Sequence, residues 1–197
     1  MRTCFCLGLT LLVTTIPAAP AQDADKPLYP LQIGTKWTYQ VARQDERFVV
    51  TAAKEEKVGE QNCVKLEARL KGQVVVTEHV AVLPDGIYRF KFNDAAIEPA
   101  LCFCKPAAKK GEKWEVKFAT GGKNGTAKFE QSEEAVEVPF GKFKAVVVRG
   151  EVIENEVTIK TTVWFAPGCG MVRQVIEIGE QPPIVLELEN METPAPK

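Results

Sequence analysis

The strongest constraint on this chain is a rhythm. From about residue 36 onward, short runs alternating apolar and polar side chains are separated by clusters of Gly, Pro, Asn and Asp. A period of two sends successive side chains to opposite faces of a pleated strand and does not fit one face of a helix. Cys63–Leu70 alternates, Lys71-Gly72 turns the chain into Val74–Leu83, and Pro84-Asp85-Gly86 turns it again into Ile87–Phe92. Asp-Gly and Pro-Asp-Gly between alternating runs are strong hairpin signals. Further runs occupy Phe48–Ala52, Glu112–Ala119, Gly125–Gln131, Ala135–Val138, Ala145–Arg149 and Ile184–Asn190. Asn93–Pro99 has room for one helical turn, and no long amphipathic helix is apparent. Roughly a dozen strands of ordinary length predict an all-β fold, a single antiparallel domain over residues 29–190. A curved half-barrel and a closed sandwich both fit the pattern.

The domain is organised around Thr161–Ile178, read as a strand, a tight reversal and a returning strand. Pro167 fixes φ where the reversal begins, while Gly168 and Gly170 supply positive φ at little steric cost. Two other phrases share an order of Pro, Gly, Lys, Trp and then a strand: Pro30 to Val41, and Pro106 to Phe118. An internal duplication and one loop-to-strand solution used twice explain them equally well.

The termini speak about compartment. Arg2, an apolar run from Cys4 to Ile16 and small residues around Pro17–Ala21 form a secretory signal over residues 1–21. Residues 22–28 read as a flexible lead-in and 191–197 as a disordered, Pro-rich tail. Removing residues 1–21 takes away Arg2 alone, leaving 24 of the 25 basic residues against 26 acidic ones. That balance argues against a nucleic-acid or anionic-membrane surface. No later segment is long and apolar enough to span a membrane as a helix. The expected location is periplasmic or extracellular, and Cys63, Cys102, Cys104 and Cys169 are disulfide candidates in an oxidising compartment. A Cys102–Cys104 bridge is the least favoured pairing.

Little else points to chemistry. His79 is the only histidine and lies inside a strand, so it reads as structural. Cys102-Phe-Cys104 could begin a soft-metal site, but the Cys-x-x-Cys spacing is absent and disulfides explain the same residues better. Cys169 has no sequence-local base to make it a nucleophile. No catalytic residue, metal site or cofactor is assigned. Trp37, Trp114 and Trp164 read as core before they read as ligand-stacking surfaces.

Two phrases carry a resemblance. Tyr29-Pro-Leu-Gln-Ile-Gly-Thr-Lys-Trp-Thr-Tyr39 and Val163-Trp-Phe-Ala-Pro-Gly-Cys-Gly-Met-Val-Arg173 resemble uncharacterised exported bacterial proteins. There a Pro-Leu-x-x-Gly-x-x-Trp-x-Tyr opening pairs with a Trp-Tyr/Phe-Ala-Pro-Gly-Val-Gly-Leu-Val close. Some of them look similar to the curved half-barrels of periplasmic lipoprotein carriers. The resemblance implies an exported all-β fold and no catalytic residue. Cys169 stands where that pattern has Val, so no thiol role follows from it.

The expected function is an exported, non-enzymatic β module that binds an apolar ligand or an extracytoplasmic protein partner. Its competitors are a structural or assembly accessory without a small ligand, and an enzyme acting on envelope polymers.

Overall fold

The alternation becomes strands almost everywhere it occurs. The computed structural model describes residues 26–154 and 157–195, so the expected signal and most of the lead-in lie outside the described residues. The strands are β1 (Lys36–Val41), β2 (Arg47–Val58), β3 (Gln61–Leu70), β4 (Gln73–Leu83), β5 (Gly86–Phe92) and β6 (Ala95–Cys104). They continue with β7 (Lys113–Thr120), β8 (Lys123–Val138), β9 (Gly141–Glu154), β10 (Val157–Ala166), β11 (Gly170–Ile178) and β12 (Ile184–Glu192). Each pairs antiparallel with its sequence neighbours, and β1 pairs with β12 to close a twelve-stranded barrel.

Closure replaces the expected half-barrel or sandwich. A sheet this long has two edges whose N–H and C=O groups need partners, and pairing the first strand with the last supplies them. Lys36 lies opposite Glu192 and Trp37 opposite Met191. A Lys36–Glu192 ion pair of 3.2 Å spans the junction. β12 therefore runs two residues into the stretch expected as tail. Pro194 continues onto Gly34, its ring 3.5 Å from where a Cβ would stand there.

Two segments depart from their expected form. Asn93–Pro99 makes no helical turn. Asn93 and Asp94, both at positive φ, form a tight turn, and β6 starts at Ala95. Gly125–Gln131 and Ala135–Val138 belong to one long strand, β8, paired with β9 from Gly125 to Val138. Burial changes parity along it: Ala127, Phe129 and Gln131 are buried, then Val136 and Val138. The partner residues switch likewise, from Val148 and Gly150 to Phe143 and Ala145. A strongly twisted hairpin buries one face at its base and the other at its tip. The tip is seated on β12 through Phe140 N–H to Leu188 C=O, 2.9 Å.

The barrel also has a seam. β6 and β7 meet at only two residue pairs, Ile97 with Thr120 and Glu98 with Ala119. Beyond Pro99 side chains bridge the gap. The Trp114 indole N–H donates to the Cys102 carbonyl at 2.9 Å. The buried Gln131 amide donates to the Lys105 carbonyl at 2.8 Å and accepts from its N–H at 3.3 Å. Gln131 thus satisfies one residue's backbone groups much as a neighbouring strand would.

Candidate functional site

The site nearest to a binding function is the barrel's aromatic interior and the mouth it leads to. It begins at the Pro167–Gly170 turn. Gly168 and Gly170 sit at φ 77° and 82°, the left-handed region expected of them. Gly168 N–H donates to the Pro27 carbonyl at 2.9 Å, fastening the N-terminal strap to the turn. Tyr29 then lies over Gly170 so closely that a Cβ there would stand 2.6 Å from its ring. The turn is a socket for a tyrosine. The next strand reinforces it: the Trp37 indole donates to the Cys169 carbonyl at 2.7 Å, and the Tyr39 hydroxyl to the Met171 carbonyl at 2.9 Å.

From this socket a file of rings crosses the interior. Tyr29 lies 5.7 Å from both Trp37 and Phe165, and Phe165 lies 6.1 Å from Phe103. The separations and tilts are those that aromatic quadrupoles favour. The file ends at Arg89, whose guanidinium lies 5.2 Å from the Phe103 ring centroid and 5.6 Å from that of Phe92. Arg89 pairs with Glu78 at 3.0 Å, with about a quarter of each side chain exposed. Phe92 is 40% exposed and marks the mouth. Burial raises the Tyr29 hydroxyl above its ordinary range, with Glu78 adding to the rise and Arg89 opposing it. An ion pair flanked by two rings can hold a hydrogen-bond acceptor at the end of an apolar group.

The interior itself is occupied. Trp37, Tyr39, Val80, Ile87, Val172 and Leu188 are all at most 1% exposed. A broad surface groove of about 660 Å³ involves β7 to β11, and its side chains form a charge ladder. Glu115, Lys128, Glu151, Lys160 and Glu177 alternate in sign across five strands in direct register. Such cross-strand pairs contribute a few tenths to about 1 kcal/mol each. The ladder places these five charges on the solvated sheet surface.

The cysteines require a correction. Cys63, Cys102, Cys104 and Cys169 are free thiols, and no disulfide joins them. The topology explains it: Cys63 is on β3, Cys102 and Cys104 share β6, and Cys169 lies in the β10–β11 turn, so no two face each other on adjacent strands. Burial pushes the Cys104 thiol up to about 12 and raises Cys63, Cys102 and Cys169 as well. That is the reverse of what activates a nucleophile. Among the described residues no three His, Cys, Asp or Glu side chains converge to hold a metal ion.

His79 is buried on the strand face shared with Lys65 and Lys91, its register partners. Its Nε2 lies 2.6 Å from a Glu56 carboxylate oxygen. Lys54, with His79 second, holds the Glu56 carboxyl down at about 2. The three tryptophans divide. Trp37 is core and Trp114 closes the seam. Trp164 lies between Arg173, 5.1 Å from its ring, and Glu134, which accepts its N–H at 3.4 Å. The two repeated Lys-Trp phrases open β1 and β7, and both indoles donate to a cysteine's main-chain carbonyl. Sequence reasoning missed Gln131, Arg89 and Glu78. Glu78 shares a parity with Val76 and Val80, and Gln131 with Ala127 and Phe129, which is a signal; Arg89 alternates with Tyr88 and Phe90 and gives none.

No protein-family model and no curated protein matches this chain. Solved structures do. A Bacteroides fragilis protein described as a "putative exported protein with YmcC-like fold" matches with a TM-score of 0.52 at 12% identity, covering 84% of this chain and 98% of its own. A "putative lipoprotein" from Parabacteroides distasonis matches with a TM-score of 0.50 at 14% identity, covering 85% of this chain and 99% of its own. The likeness is one of fold over nearly the whole of both neighbours.

Proposed function

We propose that the protein is an exported, non-enzymatic β module of the cell envelope that works by binding a protein partner, its barrel interior serving structure. The observation that carries this reading is the file of rings from Trp37 through Tyr29 and Phe165 to Phe103. A carrier needs a cavity of several hundred Å³ lined by apolar groups. Here the chain's own N-terminal strap sends Tyr29 into that space. The signal-like residues 1–21 support export, as do the descriptions of the two structural neighbours.

Native mass spectrometry of protein purified gently from the envelope tests the reading. The expected mass is that of the polypeptide alone. A lipid that co-purifies at one per chain and leaves on unfolding would overturn it.

A second reading is favoured by the Arg89 mouth. A small amphipathic ligand with a carbonyl or carboxylate could sit against Phe92 and Phe103 and bond the guanidinium. If so, Arg89→Leu abolishes its binding while leaving the ring file in place.

A further inference from the structure

β5 carries a bulge at the mouth of the barrel. Phe90 has no register partner on β4, where Glu78 faces Phe92, His79 faces Lys91 and Val80 faces Arg89. It has none on β6 either, where Lys91 faces Ala96 and Arg89 faces Leu101. Plain alternation would send Arg89 and Phe92, three apart, to opposite faces. The extra residue brings them together, because their partners Glu78 and the fully buried Val80 lie two apart on β4 and share the inner face. Bulges re-aim side chains in this way and recur beside functional sites. The ladder to β6 opens at the same place: residues 97–100 have no partner on β5, and Ile97 and Glu98 turn to β7 instead.

The groups placed here are short of hydrogen bonds. Arg89 Nε is buried and has no partner among the described residues. The one ion pair joins Arg89 Nη2 to Glu78 Oε1 at 3.0 Å, and neither side chain is hydrogen-bonded to any other described residue. Buried polar groups left unpaired are costly and call for a partner. A guanidinium only donates and a carboxylate only accepts, and here the two lie side by side. The Phe103 and Phe92 rings flank the guanidinium at 5.2 Å and 5.6 Å. The complement of such a pair is a neutral group that carries both a C=O and an N–H. A carboxylate would bring a second negative charge beside Glu78, and an ammonium a second positive charge beside Arg89. Both juxtapositions are penalised.

We propose that this mouth binds a carboxamide on an apolar stem, its C=O accepting from Arg89 and its N–H donating to Glu78. The stem lies against Phe92 and Phe103. The amide site rests on the reading of the Arg89 mouth as a ligand site and narrows it, since a carboxylate is disfavoured.

Hexanamide, N-methylpentanamide, hexanoate and hexylamine test it in proton–nitrogen correlation spectra of labelled protein. The Arg89 Nε–H resonance reports, assigned by its loss in R89K. Hexanamide or N-methylpentanamide should shift it saturably, with a dissociation constant of about 1 mM. The first stands for a side-chain amide and the second for a peptide bond. Hexanoate and hexylamine should bind at least about tenfold more weakly. E78Q, with unchanged circular dichroism, should reverse the order and favour hexanoate, because Arg89 then lacks its carboxylate. Should E78Q fail to fold, the wild-type comparison decides alone. Hexanoate that binds the wild type as tightly as the amides, or an order unchanged in E78Q, would overturn the proposal and leave the mouth a site for another ligand class. No shift with any probe would overturn both the amide site and the ligand reading of the mouth.

Discussion

Gly170 and Tyr29 act as a unit. A side chain at Gly170 suffers twice, from φ 82° and from the Tyr29 ring 2.6 Å away, whereas one at Gly168 meets only the movable Lys26 side chain at 2.8 Å. Gly170→Val should therefore cost about 3 kcal/mol or more, and Gly168→Val about 1–2 kcal/mol. In a Tyr29→Ala background, itself worth about 3 kcal/mol, the Gly170→Val cost should fall to the strain component alone. Urea unfolding of the four variants gives the coupling, and strictly additive costs would mean the ring and the turn do not touch. The thiols supply a pH test. A group whose neutral form is favoured by folding contributes stability that is complete below its unfolded value and is lost as pH rises toward its folded one. For Cys104 that window opens near the ordinary thiol value of about 8.5 and extends to about 12. Stability should fall above pH 8.5, the other raised thiols acting in the same direction, and Cys104→Ala should flatten the slope. A slope unchanged by the substitution would contradict a buried neutral thiol. Titration of the unfolded, unreduced chain should find all of Cys63, Cys102, Cys104 and Cys169 reactive, and fewer would restore a disulfide.

At the scale of elements, the seam is where the account is most exposed. Gln131→Leu keeps the side-chain bulk but strands the N–H and C=O of Lys105, at a cost of about 2–4 kcal/mol. Hydrogen exchange should quicken at Lys105 and at the β6 end around Cys102–Cys104, with β1 and β12 unaffected; uniform quickening would mean that the amide is not a local bridge. Strand positions were readable wherever apolar residues kept one parity, as in β3 and in β5 up to Arg89. β8 was not, because its buried face changes between Gln131 and Val136, and a change of parity looks like the end of a strand. The turn after β5 misled for a different reason. Asn93 and Asp94 both take positive φ, which their short polar side chains tolerate and a composition of helix-permitting residues conceals.

For the whole molecule, the all-β antiparallel domain was readable and its closure was not. Closure rests on β1 meeting β12, residues more than a hundred positions apart, and a binary pattern carries no information about which strand ends meet. The socket role of Gly170 was half visible, since two glycines at a reversal imply positive φ, while the Tyr29 ring that requires the space lies far upstream. Arg89 could not be placed from sequence, because a charge that alternates with Tyr88 and Phe90 ordinarily faces water and here lies against Phe103 and Phe92.

The claim on which the rest depends is that this interior is filled by the chain itself, and the tryptophan indoles report on it directly. In a proton–nitrogen correlation spectrum of labelled protein, the Trp37 N–H, bonded to the Cys169 carbonyl at 2.7 Å in a fully buried side chain, should exchange slowly with deuterium. Its resonance should hold still as a monomeric acyl-chain amphiphile is titrated in. A Trp37 indole resonance that shifts saturably with the amphiphile, or exchanges as fast as that of half-exposed Trp164, would contradict a filled barrel and return the protein to the lipid carriers.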